Sequence, residues 1–236
     1  MQQVTVTFFH FQGRSRQWWM LGQMQRAHPH LTKAHGLSFY KLMGSGGGHG
    51  FSLWPDWSVY ALLSVWEHTE AAQAFFGDPT SYYHAFAHRC QEAYTLFLRP
   101  QHVQGQWSGK QPFQTNGALS KGPVAVLTRA RIRWRHVWGF WRFVPGVSDR
   151  LQQHPGCLLA KGVGEWPLIQ QATFSVWTSE EAMKNYAYGD ENHVRVIRET
   201  RRRGWYSEEM FARFGVEAAH GQWGGRNPLR AAFAER

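Results

Sequence analysis

Polar and apolar positions along this chain change rhythm in the same order twice. "VTVTFFHF", beginning at Val4, is a strand-like run, and "VAVLTRARI", beginning at Val124, is its counterpart. An amphipathic segment follows each, Ser15–Ala27 in the first case and Val137–Gln152 in the second. Two further extended runs come next, joined through glycines, and the last of them ends in Ser-Val-Trp before a helix. Ser64-Val65-Trp66 aligns with Ser175-Val176-Trp177 at an offset of 111, whereas Lys41 in "LSFYKLMGSG" aligns with Lys161 in "CLLAKGVGEW" at 120. His28-Pro29 likewise corresponds to His154-Pro155. One Gly-rich insertion in the first half, "GSGGGHGFSLWPDW", accounts for the drift, so the matches point to an internal duplication.

The order β-α-β-β-α, repeated, is the pattern of a split βαβ unit. It predicts an α+β fold of two ferredoxin-like βαββα repeats, their sheets face to face as a dimeric-α/β-barrel-type domain with helices outside. Residues 1–99 form the first repeat, 100–122 the connector, and 123–236 the second repeat with a C-terminal helix and tail. Thr178-x-x-Glu181 reads as a capping box at the start of one helix, and Thr69 takes the matching place in the first half.

A chain of 236 residues with 43% hydrophobic and 16% aromatic residues has enough apolar surface for a large core or a flat apolar ligand. The net charge of +10 attracts acidic partners of any kind, but no zinc-finger spacing, RNP-like motif or lysine tract marks a nucleic-acid module. Cys90 and Cys157 form neither a CxxC nor a disulfide framework, which fits a reducing cytoplasm. No signal peptide or membrane-spanning run is present, so the expectation is a cytoplasmic protein that touches the inner membrane surface peripherally. No G-x-S-x-G elbow or cysteine-nucleophile motif supports a hydrolase. The Gly-rich insertion lacks the phosphate-loop pattern; it reads as a plain loop or as a lid carrying His49.

The candidate chemistry lies in "YGDENHVRVIRETRRRGWYSEEMFARF", which holds one imidazole. With Asp190 as N-cap and Gly204 just past the end, the segment between is a helix. At about 100° per residue, Val196, Ile197, Thr200 and Gly204 fall near His193, and Arg195, Arg198, Glu199, Arg201 and Arg202 fall on the opposite arc. Two readings of His193 stay open. It is a core histidine bonded to a backbone carbonyl, or it binds a metal beside short side chains that leave room for a flat macrocycle. A lone His does not make a zinc or non-haem iron site, whereas haem needs only one protein ligand. In "LTRARIRW", Arg129, Arg131 and Arg133 alternate with Ala130 and Ile132, so the three guanidinium groups share one face. Such a face takes acidic partners, either glutamates at an exposed edge or the propionates of a haem. His10, His49 and His136 are weaker ligand candidates.

"FYKLMGSGGGHGF", "QWSGKQPF", "GPVAVLTRARIR", "FWRFVPGVS", "GEWPLIQQATFSVW" and "HVRVIRETRRRGWYSEEMFARF" together make the chain resemble the spheroidene monooxygenase family over nearly its whole length. The resemblance implies a dimeric α/β-barrel fold and a haem b cofactor held through its iron by His193, with Ile197, Thr200 and the three arginines around it. It also implies oxygen-dependent hydroxylation, then ketone formation, on an acyclic carotenoid. The chain has no cysteine cluster or dinucleotide fingerprint, so electrons are expected from a separate ferredoxin or reductase. A non-catalytic haem- or pigment-binding protein is the alternative, and a homo-oligomer is left open. Arg198, Arg201 and Arg202 are the expected contact with an anionic membrane surface.

Overall fold

The computed structural model describes residues 1–47, 54–115, 122–142, 150–151, 153–189 and 191–234, without the side chains of 191–194, 196 and 197. The first half contains β1 (Gln3–His10), α1 (Arg14–Arg26), α2 (His28–Leu31), β2 (Leu37–Gly46), β3 (Pro55–Trp66), α3 (Thr69–Gly77), α4 (Tyr82–Ala87) and β4 (Glu92–Gly105). The second contains β5 (Val124–Ile132), α5 (Val137–Trp141), β6 (Cys157–Trp166), β7 (Gln170–Trp177), α6 (Glu180–Gly189), α7 (Glu191–Arg203), β8 (Tyr206–Gly221) and α8 (Arg230–Ala234).

The eight strands close into one antiparallel barrel in the order β1-β3-β2-β6-β7-β5-β8-β4. Closure removes every free sheet edge. Within it the first half keeps the order β4-β1-β3-β2 and the second β8-β5-β7-β6. Side chains of β1 alternate: Val4, Val6 and Phe8 point into the barrel, where they meet Leu96, Leu127, Phe174 and Phe214. Phe9 and Phe11 face outward and pack with Met20, Leu31 and Phe86 under the helices. Each such phenyl group contributes about 1.5–3 kcal/mol by leaving water.

Two seams join the halves. Along β4 and β8 the pairing runs from Tyr94 opposite Gly221 to Gly105 opposite Met210. The β2–β6 seam consists of Gly44 opposite Gly164 and Ser45 opposite Val163, with the Ser45 hydroxyl donating to Gly162 O at 2.8 Å.

The barrel agrees with the sequence pattern, and so does α1, but each half has a last strand the pattern did not indicate. β4 therefore runs through Gly105, into residues assigned to the connector. It accommodates Pro100 at a register shift between Pro100 and His102. The helix caps also fall elsewhere. Ser179 Oγ accepts from Ala182 N at 3.1 Å, because Thr178 is still engaged with the sheet end, its N–H donating to Gly156 O at 2.9 Å. In the first half His68, not Thr69, caps α3, its Nδ1 accepting from Ala71 N at 3.2 Å. Of the expected helix at Val137–Gln152, α5 and residues 150–151 are described. His49 and Asp190 lie outside the described residues.

Candidate functional site

The helix-facing surfaces of the two half-sheets are built on the same register and filled differently. In the first half Thr7 stands opposite Leu62 and Thr95, Phe9 opposite Tyr60, and Leu42 opposite Leu62. Phe9, Leu42, Tyr60 and Leu62 are all buried there, and Thr7 is completely covered. In the second half Thr128 stands opposite Thr173 and Phe211, Ala130 opposite Gln171, and Gly162 opposite Thr173. Phe9, Leu42, Tyr60 and Leu62 are thus replaced by Ala130, Gly162, Gln171 and Thr173. Thr128 is exposed although its strand is paired on both sides. The second sheet therefore presents small or polar side chains where the first presents large apolar ones.

α7, which carries His193, follows α6 and leads back to the start of β8. It ends as expected at Gly204, with φ +58°. Gly204 N donates to Arg201 O at 3.3 Å and Trp205 N to Thr200 O at 3.2 Å, a Schellman closure. Thr200 is buried and its Oγ1 has no hydrogen-bond partner among the described residues. Beside it, burial pushes the Tyr206 phenol up to about 12. Thr200 stands close enough to hold that shift back slightly, although the two hydroxyls make no bond of ordinary geometry. His193 lies seven residues before Thr200, two turns along the same face; its side chain and that of Ile197 are outside the described set. Arg195, Arg198, Arg201 and Arg202 are exposed, as the helical repeat requires.

The three arginines separate. Arg129 is 2% exposed and points into the barrel beside Met210 and Ala172, away from the helix-facing side. Its guanidinium meets Glu208, lies 3.6 Å from Glu165 and donates to Gln170 Oε1 at 3.4 Å, with the Trp107 ring 5.6 Å away. Its acidic partners are thus the protein's own carboxylates. Arg131 is exposed at the rim, and Arg133, beyond a register shift, donates through Nε to Tyr206 O at 3.2 Å.

Around Arg129 sits a cluster that sequence reasoning missed. Glu165 accepts from Trp107 Nε1 at 2.7 Å and pairs with Lys41. Glu208 accepts from the backbone N–H groups of Ser108 at 3.0 Å and Gly109 at 2.8 Å. Partial burial alone would raise its carboxyl; those two N–H groups and Arg129 hold it below the usual range. The arrangement recurs at the other end of the barrel, where Glu92 accepts from Gly224 N at 2.9 Å and Gly225 N at 2.6 Å. Each turn follows a glycine at a close crossing, Gly105 with φ +87° and Gly221 with φ +89°. The signal was in the chain as "GQWSGKQP" and "GQWGGRNP", which repeat at one offset.

Of the other candidate histidines, His10 and His136 hold structural contacts. His10 lies 6.3 Å from the Trp223 ring, and His136 Nε2 accepts from Arg135 Nε at 3.1 Å. An open groove of about 360 Å³ runs between Arg150, Gln153 and His154 and the end of α6. Among the described residues no group of three or more His, Cys, Asp or Glu could hold a metal ion. None of their helices is long and apolar enough to cross a membrane.

The fold places the chain among eight-stranded α/β barrels that occur in enzymes. It superposes on aldoxime dehydratase with a TM-score of 0.61 at 12% identity, covering 92% of this chain and 82% of that one. A second aldoxime dehydratase structure, in complex with butyraldoxime, gives a TM-score of 0.61 at 10% identity over 91% of this chain and 80% of that one. No family model matches the chain. Curated relatives are more specific. It is 34% identical to the spheroidene monooxygenase of Cereibacter sphaeroides over 241 residues, covering 100% of this chain and 73% of the relative. Identity to the spheroidene monooxygenase of Rhodobacter capsulatus is also 34%, covering 100% of this chain and 99% of the relative. That of Rubrivivax gelatinosus is 36% identical over 81% of this chain and 73% of its own. The chain belongs to the spheroidene monooxygenase family. It is an oxygen-dependent monooxygenase, an oxidoreductase.

Proposed function

We propose that this enzyme inserts oxygen into an acyclic carotenoid or a similar apolar polyene, forming a hydroxyl and then a keto group, with haem held in a hollow on the helix-facing side of the second half-sheet. The observation that carries the reading is the loss of Phe9, Leu42, Tyr60 and Leu62 at the matching positions Ala130, Gly162, Gln171 and Thr173. A face that carries four large side chains in one half and small or polar ones at the matching places in the other suits a flat group. The residues fit such a group. His193 and Ile197 lie on the helix leading back to this half-sheet, Thr200 adds a buried hydroxyl with no hydrogen-bond partner among the described residues, and Arg133 at the rim suits a propionate. Arg129 and Arg131, on the barrel-interior face of β5, are left out.

Haem bound there would supply the oxygen activation, with electrons from a separate ferredoxin or reductase. The chain's part is to orient the substrate and exclude water. We also read the two halves, each with strand order 4-1-3-2, as ferredoxin-like repeats, the second completed by its histidine helix. Purified protein given haemin is expected to show a strong Soret band that His193→Ala loses. Thr173→Leu, which copies Leu62, is expected to abolish haemin uptake while leaving the melting temperature equal or higher. A protein that ignores haemin, or a Thr173→Leu variant that binds it normally, would sink the reading.

A further inference from the structure

We propose that the corner formed by residues 131–138 and the turn Trp166–Ile169 docks on an anionic lipid bilayer. Among the described residues it carries an unusual set of exposed indoles: Trp134 is 82% exposed, Trp138 73% and Trp166 64%. The local fold explains why they stay outside. Val137 and Trp141 of α5 turn inward to pack with Ile132, and Trp141 Nε1 donates to Leu168 O at 3.1 Å, tying the turn after β6 to α5. Trp134, at the start of the 3-10 turn that precedes α5, and Trp138, on α5 itself, are both left on the surface. Isolated exposed aromatics need no explanation, but three indoles at one corner mark an interaction surface.

Charge selects the partner. Arg131, Arg133 and Arg135 alternate with these residues and are exposed. Arg133 N donates to Trp205 O at 2.8 Å, which joins the corner to the end of α7, where Arg201, Arg202 and Arg203 are also exposed. Of the nearby acids among the described residues, Glu199 is engaged with Arg202 and Arg203 and Glu208 with Arg129, which leaves Glu209, opposite Ala130, as a single exposed carboxylate against four arginines. Among the described residues no carboxylate lies within ion-pair distance of Arg131, Arg133, Arg135 or Arg201. Indoles sit at the headgroup level of a bilayer, and arginines beside them gain from the negative potential of an anionic leaflet. The apolar cluster behind the corner, with Phe140, Leu168, Ile169 and Tyr206, leads toward Ala130 and Gln171 in the hollow. The purpose of the contact, delivery of a membrane-dissolved substrate, rests on the proposed function; the contact itself rests on the corner.

The test is flotation of the full chain with vesicles of phosphatidylcholine, with and without phosphatidylglycerol. Wild type is expected to float with the anionic vesicles at about 0.1 M salt and to be released near 1 M, as the Debye length falls from about 10 to about 3 Å. Trp134→Ala combined with Trp138→Ala is expected to weaken binding at least tenfold and to abolish quenching by brominated lipid. Arg135→Gln is expected to weaken it about fivefold. All variants should match wild type in circular dichroism and in carotenoid oxygenation in detergent micelles. If wild type is inactive in micelles yet binds anionic vesicles through this corner, the functional reading fails and the docking surface stands. Equal flotation of wild type and the tryptophan double variant overturns it, as does equal binding of wild type to neutral vesicles. It is overturned too if the variants instead lose binding to an acidic ferredoxin or lose self-association in sedimentation.

Discussion

Glu208→Gln isolates what the buried ion cluster contributes, because the barrel contains its own control. Glu208 accepts two backbone N–H groups and also neutralises Arg129, which is 2% exposed. Glu92 accepts two backbone N–H groups in the same way without an arginine. An amide puts a donor where one carboxylate oxygen accepted, so each substitution costs about 1–2 kcal/mol at its turn. Breaking a buried ion pair costs about 3–5 kcal/mol. Glu165 remains 3.6 Å from Arg129 and reduces that, leaving about 2–3 kcal/mol for the pair. Glu208→Gln should therefore cost about 4 kcal/mol in all and Glu92→Gln about 1.5 kcal/mol. A chain of this length unfolds with an entropy of about 0.5 kcal/mol/K, so the expected losses in Tm are about 8 °C and about 3 °C. Thermal melts followed by circular dichroism read both. The Glu208 carboxyl is held below its unfolded value, so its contribution is complete above the ordinary carboxylate range and disappears as pH falls through the depressed value. The gap between wild type and Glu208→Gln should thus be constant from pH 7 to about 5 and close in stronger acid. If both variants melt within about 1 °C of each other at pH 7, the Arg129 pair contributes nothing and the reasoning fails.

A Cβ on Gly221 would come within 2.0 Å of Ala93 O, whereas one on Gly13, also at positive φ, meets nothing within 4 Å. Gly221→Ala should cost at least about 3 kcal/mol or prevent folding, and Gly13→Ala about 1 kcal/mol, measured by denaturant unfolding. Ser179→Ala should remove about 1 kcal/mol by uncapping α6 and Thr178→Ala much less; the reverse order would return the cap to Thr178. Burial pushes the Cys90 and Cys157 thiols up to about 11, so a disulfide reagent at pH 7.5 should react with the native protein about a hundredfold more slowly than with the denatured chain. Rates that match in both states would contradict that burial.

The parts of this fold that were readable from sequence are those where one local pattern has one meaning. β1 and β5 alternate cleanly, α1 is amphipathic, and Gly204 after a run of arginines marks the helix end it forms. β4 was hidden because Pro100 argues against a paired strand, and only the register shift beside it resolves the conflict. β8 was hidden because "YSEEMFARF" continues the charge density of the helix before it. Alternation put Arg129 and Arg131 correctly on one face of β5, yet it could not say that this face is the barrel interior. Glu208, the partner of Arg129, is 79 residues away, and that pairing depends on closure of the barrel. The loss of bulk on the second half-sheet is legible only after the halves are aligned strand by strand, when Leu62 meets Thr173 and Leu42 meets Gly162. No local property of a threonine or glycine announces missing volume.

The two glutamate-held turns have a consequence for how the chain is made. Each half supplies the carboxylate that fastens the other: Glu208 fastens Ser108 and Gly109, and Glu92 fastens Gly224 and Gly225. On the ribosome, Ser108 emerges 100 residues before the carboxylate that will hold it, so the N-terminal half waits unfinished with β4 exposed. Either half alone leaves β4 or β8 without its partner across the seam, and a chain released early is released with an open edge. The reciprocity is that of two subunits exchanging clasps, here within one polypeptide, so a change in either glutamate loosens the half that does not carry it.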